Sequence, residues 1–494
     1  MMIPQAGRLA AIGTLLHANL AARHDSIVVE TAERAFTGAD LLRRSAGVAR
    51  VLAENGLSRG DRALFFLVGN EDALVCSLAC WWLCATPVLM DFRSPAAQRR
   101  RIAELLGARL IVEQRRPSGE EQYESLIWNE TWCERPAWDA PWPQQDDLDA
   151  VPAFMSLSSG TTGLPKAYVH SHQRSTGRVL DRESTGESTG GLIFTPMNLS
   201  FAATRNMVMA GLHYGARIRF ASPLFSAGEL VEMIAASGAT ACALPPPLIR
   251  NLAREVGERS TPFFDRLVML RSIGGPASAE DKLEAYTRLS RGYVMTYASG
   301  LTGTATQLGG PDLLSHTASV GRPLRTVRIE IVDPETLRPL GTGQAGLIRV
   351  WTPNLADDVI EAAEGAPNTE RWGEGWGIPG DFGRLDAEGY LTIVGREADM
   401  IVRGGVNVAP QEIENLLRKD PRIVDVGVVG IDDPAYGQEI AVFIVAESGE
   451  EADFHVLCMS LLASDRRPRI IRLVKRLPYN ANGKLVRNEL RAML

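Results

Sequence analysis

Between Phe154 and His172 the chain reads F-M-S-L-S-S-G-T-T-G-L-P-K-A-Y-V-H-S-H, the densest run of chemically useful residues in the sequence. The apolar Phe154 to Leu157 predicts a buried strand. It breaks into Ser158, Ser159, Gly160, Thr161, Thr162 and Gly163, followed by Leu164, Pro165 and Lys166. Small hydroxyl side chains and a backbone free to take positive φ let a loop turn its N–H groups toward a phosphate. Lys166 sets a compact positive charge beside it. This is not the Walker loop, which ends in Gly-Lys-Ser/Thr and runs directly into a helix. An isolated Gly-x-x-Gly is best read as a surface turn, but an unbroken hydroxyl and glycine run ending in Pro-Lys after a strand favours anion binding.

The segment S-S-G-T-T-G-L-P-K resembles the signature of the acyl-adenylate-forming (AMP-binding) enzymes, the superfamily of acyl-CoA synthetases, adenylation domains of non-ribosomal peptide synthetases and firefly luciferase. The resemblance implies ATP and Mg²⁺, a carboxylic acid substrate, and an acyl acceptor thiol from coenzyme A or from the phosphopantetheine arm of a carrier protein. Further blocks follow in the family's order. Gly274-Gly275-Pro276-Ala277 resembles the adenine-side turn with its last two residues exchanged. Tyr297 to Gly303 stands where the family has Tyr-Gly-x-Thr-Glu, whose tyrosine stacks on adenine, whose threonine touches phosphate and whose glutamate holds Mg²⁺. Tyr297 and Thr302 are the matching residues here. The glutamate is absent, whether the alignment places Leu301 or Gly303 at its position. Mg²⁺ is therefore expected to be held mainly by ATP phosphates and water, as this ion tolerates.

Asp381 and Arg396 match the family's Gly-Asp and Gly-Arg pair. A carboxylate accepts ribose hydroxyls well, and an arginine joins the same sugar and phosphate, although a lone Asp in a turn is usually a turn former. Lys484, in Pro478-Tyr479-Asn480-Ala481-Asn482-Gly483-Lys484, matches the lysine that bridges substrate carboxylate and α-phosphate in the family. Taken alone, it reads as a solvated turn lysine. Asn198, Phe201, Ala202 and Gly274 are the expected acyl-pocket residues. Amino-acid-activating relatives carry an aspartate at the position of Ala202, so an aryl or alkyl acid without an α-amino group is expected. Asn198 is expected to have one acceptor to offer.

These residues need a scaffold of strand ends. Helical spacing from Thr37 to Asn55, a strand at Ala63 to Val68, and a helix from Glu71 to Cys84 predict stacked α/β units and a mostly parallel sheet. Strands ending at Pro245 and at Gly274-Gly275-Pro276 are where open α/β sheets bind ligands. From Val320 the sequence turns strand-rich and reads as a smaller barrel-like part. The four tryptophans between Trp128 and Trp142 are expected to pack a connecting loop on the core. From about Asp399 a compact α+β module is expected. The predicted architecture is thus an α/β N-terminal domain, residues 1–397, and a small mobile C-terminal α+β lid, residues 398–494.

Of the 494 residues 22% are charged, and the formal net charge of -7 argues against a general nucleic-acid binder. Basic clusters such as Arg99-Arg100-Arg101 read as solvated faces. Six cysteines, three at the helical spacing of Cys76, Cys80 and Cys84, form no disulfide framework. A cytoplasmic enzyme is the default expectation. The run Ala73 to Met90 contains Pro87 and reads as a buried helix and a strand, not a membrane span. The expected activity is ATP-dependent formation of an acyl-adenylate with release of pyrophosphate, then transfer to coenzyme A. Loading of a carrier protein, or an ATP- or acyl-binding protein that has lost catalysis, are the alternatives.

Overall fold

The computed structural model describes residues 8–115, 123–157, 166–181, 190–222, 224–361, 372–479 and 485–494. Among them the strands form five sheets. The largest has at its centre the parallel strands Tyr293–Ser299, Met269–Ile273, Ala241–Leu244, Leu192–Thr195, Arg217–Phe220 and Ile27–Glu30. Antiparallel strands close both edges, Gly303–Gly309 and Arg322–Pro323 on one side and Ala35–Thr37 on the other. A second, all-parallel sheet joins Thr86–Leu89, Arg62–Phe66, Leu110–Glu113 and Leu126–Ile127. The helix Asn70–Trp82 packs in the same core as both sheets and is buried almost all round. That is why its sequence carries no polar stripe. Cys76 and Cys80 lie in it as fully buried free thiols. Trp128 is buried, and Trp132, Trp138 and Trp142 pack partly buried against the same core.

The strand Pro152–Leu157 leads into the predicted phosphate loop, and the chain returns antiparallel as Ala167–Ser171, with Asp358–Ile360 on its far side. A strand on both sides of the loop, in place of a strand and a helix, agrees with the mismatch to the Walker pattern. An antiparallel sheet with Gly346–Trp351, Asp381–Leu385 and Leu391–Arg396 supplies the strand-rich part. Beyond the short 3-10 turn Glu397–Asp399, strands from Ile401–Arg403 to Ile470–Leu473 pair with one another around their own apolar core. Among the described residues no helix is long and apolar enough to cross a membrane.

One surface expectation is corrected. Arg99 is buried, not solvated: its guanidinium pairs with the fully buried Glu113 at 2.7 Å and donates to the carbonyls of Ser94 and Phe92. Ser125 also donates to Glu113. A buried carboxylate is tolerated only when paired and hydrogen-bonded in this way.

Candidate active site

Asp381 opens one strand of a hairpin and Arg396 closes the other, so the two stand directly opposite each other. The turn between them is fixed by Asp386, whose carboxylate accepts from the amides of Glu388 and Tyr390, both at 2.9 Å. Gly389 supplies the left-handed φ of 83° that the turn needs. Arg396 Nε lies 3.1 Å from Asp381 Oδ1. Tyr297, from the strand Tyr293–Ser299 inside the large sheet, donates its phenol to Asp381 Oδ2 at 2.7 Å. Three residues from two sheets thus meet at one carboxylate. Burial, reinforced by Asp381, pushes the Tyr297 phenol far up, so it stays a donor. Asp381 raises Arg396 above its ordinary value.

The strand of Tyr297 turns back at Gly300, Leu301 and Thr302, with Ser299 pairing Gly303 across the tip. A Cβ at Gly300 would run into the ring of Tyr168, so this position demands glycine. Thr302 is 1% exposed. Its amide donates to Ser299 Oγ at 3.0 Å, its hydroxyl lies 2.9 Å from the same oxygen, and the hydroxyl reaches the Gly303 carbonyl at 3.2 Å. In this state the hydroxyl braces the turn.

On the other side of the site, Gly274 ends its strand at a φ of 97°, and a Cβ there would lie 2.8 Å from the Phe201 ring. Phe201 caps the helix Ala202–His213 without a side-chain hydrogen bond, which places Ala202 at the first helical position. A Cβ at Gly275 would meet only Pro246, at 3.6 Å, an ordinary contact distance. Asn198 departs from expectation. Its carbonyl oxygen accepts from the Ser200 amide at 2.8 Å and its amide reaches the Leu67 carbonyl at 3.4 Å, so it shapes the loop with both groups. Asn70 holds the same loop from below by bonds to Met197 and Leu199. The wall of Met197, Phe201, Ala202, Ala203 and Gly274 contains no carboxylate.

Residues 16–358 match the family model described as AMP-binding enzyme, and residues 412–484 match that described as AMP-binding enzyme C-terminal domain. The chain belongs to the AMP-binding enzyme family. It is 27% identical over 481 residues to a 2-succinylbenzoate–CoA ligase of Geobacillus kaustophilus, covering 95% of each chain. Among solved structures it resembles ATP-bound MatB from Rhodopseudomonas palustris, with a TM-score of 0.85, 22% identity, and 98% and 99% of the two chains covered. It is also similar to o-succinylbenzoate CoA synthetase from Bacillus subtilis in complex with its acyl-adenylate intermediate, with a TM-score of 0.84, 22% identity and 97% of both chains covered.

Within this family member, three buried groups had no counterpart in the sequence reading. Arg205 donates to Ser156 Oγ at 2.6 Å and stacks 4.4 Å from the Phe154 ring centre. Burial, with help from Arg178, holds its guanidinium down at about 9. His170, fully buried, is kept neutral by the same burial and by the two arginines. Arg178 spans two segments, with Nε on the Asn354 carbonyl and Nη2 on those of Gly300 and Leu301. Arginines on helices normally read as surface charge, and nothing in their spacing signals these partners.

Lys166 forms an ion pair with Glu361 across neighbouring strands. The loop residues Ser158, Ser159, Gly160, Thr161, Thr162 and Gly163, and Lys484, lie outside the described residues. Tyr479, the last described residue before Lys484, donates to Asp425 at 2.6 Å. Asp399, at the expected start of the C-terminal module, lies 3.4 Å from Arg487, which also pairs with Glu414.

Proposed function

We propose that this enzyme activates an aryl or alkyl carboxylic acid lacking an α-amino group, condensing it with ATP to an acyl-adenylate and releasing pyrophosphate. The acyl group then passes to the thiol of coenzyme A. The observation that carries this reading is the meeting of Tyr297 and Arg396 on the Asp381 carboxylate. It presents a paired, buried acceptor beside an aromatic ring, which suits the vicinal hydroxyls and base of a nucleotide. The names of the ligase relatives support the coenzyme A acceptor.

No covalent enzyme intermediate is needed, because the mixed anhydride is itself the activated species. The chain's part is positioning and charge stabilisation. Ser158 to Gly163 would hold the polyphosphate through backbone N–H groups, and Lys166 would exchange Glu361 for phosphate. Lys484 would enter from the lid, taken as residues 398–494 against a nucleotide-binding body of 1–397, and stabilise charge at the carboxylate and α-phosphate. Among the described residues no cluster of three His, Cys, Asp or Glu is placed to hold a metal. Mg²⁺, which shields phosphate charge when present, would be carried in by ATP. A cytoplasmic location goes with this reading, and the six free cysteines suit a reducing compartment.

The deciding experiment is pyrophosphate release measured against a panel of aryl, short-chain and long-chain acids, with and without coenzyme A. Release with one acid class and stoichiometric thioester with coenzyme A is expected. Adenylate formation without thioester would move the acceptor to a carrier protein, and no release with any acid would leave a nucleotide- or acyl-binding protein.

A further inference from the structure

Gly303 stands at the tip of the hairpin that carries Tyr297, with a φ of 72°. A Cβ there would lie 3.3 Å from Nε of Arg178, so that guanidinium fills the space into which a side chain at 303 would grow. Beside it lies a small cavity lined by Arg178, Asp181, Asn206, Thr302, Gly303 and Asn354. Arg178 is 6% exposed. Its Nε donates to the Asn354 carbonyl at 3.0 Å, and its Nη2 to the carbonyls of Gly300 at 3.1 Å and Leu301 at 3.0 Å. Asn354 is braced in turn by Asp181 and by the Thr352 hydroxyl, and its side chain occupies the place a Cβ on Gly177 would take. The Leu301 carbonyl also accepts from the Ala356 amide at 2.8 Å.

We infer that Arg178 is a positioning residue for the hairpin tip Gly300–Thr302, locking it to the segment around Asn354 and so fixing the end of the strand that aims Tyr297 at Asp381. The assignment rests on the activity proposed above. A planar guanidinium with donors on separate nitrogens can bridge two backbone segments at once. A lysine ammonium carries the same charge at a single point and cannot reproduce that geometry. The fork, not the charge, is therefore the feature that matters.

The test compares Arg178→Ala and Arg178→Lys with the unaltered full chain. Amide hydrogen exchange should rise at Thr302 and Ala356 in both variants while the other strands of the large sheet keep their protection. In pyrophosphate exchange, normalised to folded protein, the KM for ATP should rise about tenfold or more with a smaller loss of turnover, as expected when the strand that carries Tyr297 is misplaced. An unchanged KM for ATP in Arg178→Lys would overturn the fork in favour of charge alone. Evenly raised hydrogen exchange throughout the large sheet would overturn it in favour of general stability. If the unaltered protein exchanges pyrophosphate with no acid, the activity reading fails, and protection at Thr302 and Ala356 still decides the fork.

Discussion

The two sides of the proposed site use opposite physics. On the proposed nucleotide side the described charged groups have partners in place: Asp381 holds Tyr297 and Arg396, and Lys166 holds Glu361. A nucleotide would exchange its own hydrogen bonds for these, so affinity there would be a difference between satisfied states. On the proposed acyl side stand a ring, methyl groups and a bare backbone, with Phe201 close against Gly274. Selection there would work by omission. An ammonium buried against such a wall would cost several kcal/mol, on the order known for unpaired ions. On this reading one side recognises by what it offers and the other by what it withholds.

The largest expected effect comes from the residue proposed to join the two sides. Lys484→Ala should slow acyl-adenylate formation by about a hundredfold or more, the scale of losing one preorganised charge in a desolvated site. It should leave ATP binding, and acyl transfer from preformed acyl-adenylate, close to normal. Single-turnover assays of the two half-reactions measure this, and an unchanged pyrophosphate exchange rate would remove Lys484 from the site.

Next in size is the nucleotide side alone. Asp381→Asn keeps the shape but leaves Arg396 without its counter-charge and turns an acceptor into a mixed donor. The KM for ATP should rise by about tenfold to a hundredfold, the worth of a charge-assisted hydrogen bond, with a smaller effect on turnover. Equal losses in apparent affinity for the acid and for ATP would show that the node shapes the whole site and does not read the nucleotide.

The meeting of Asp381, Arg396 and Tyr297 was legible in large part because these residues sit beside their own punctuation. Asp381 follows Gly380 and Arg396 follows Gly395, with the Asp386 to Gly389 turn between, so chain order and hairpin register bring them together. Tyr297 was legible from its place before a glycine-rich turn. The parallel sheet was legible from strands ending in Gly and Pro. Arg99, Arg178 and Arg205 were not legible. Arg99 pairs with Glu113 from another element, Arg205 donates to the Ser156 hydroxyl, and Arg178 donates to carbonyls of residues more than a hundred positions away; neither a hydroxyl nor a carbonyl leaves a trace in the charge pattern. Asn198 was misread for a related reason: its side chain is consumed locally, by the amide two residues on, a habit of Asn in turns.

A smaller effect concerns the metal. Leu301 is 4% exposed and packs with Leu355 and Ala356, and Gly303 faces Arg178 at a left-handed φ. Neither position has room for a working carboxylate. Mg²⁺ affinity without nucleotide should be weak and, with nucleotide, should follow that of ATP, as titration calorimetry would register. Tight Mg²⁺ binding by the free protein would contradict this. Leu301→Glu should create no metal site and should destabilise the fold by about 2 kcal/mol or more, because it buries a carboxyl group in an apolar cluster.

The smallest effect in rate, and the sharpest for the comparison, is a gain on the acyl side. Ala202 occupies the first position of a helix whose cap makes no side-chain hydrogen bond. An acidic residue in a first helical turn interacts favourably with the helix dipole, by about 0.3 to 1 kcal/mol. The fold should therefore accept Ala202→Asp without loss, and on the proposed reading the absence of an acid there reflects the substrate and not a constraint of packing. The variant should acquire weak amino-acid-dependent pyrophosphate exchange, above a parent with none, and should lose activity toward its native acid as the new carboxylate repels or desolvates against it. Exchange assays with the proteinogenic amino acids, run on both proteins and paired with thermal melts, carry the decision. Strong turnover of any amino acid by the unaltered enzyme would mean that an acid from another segment reaches the wall, and selection by omission would then be wrong.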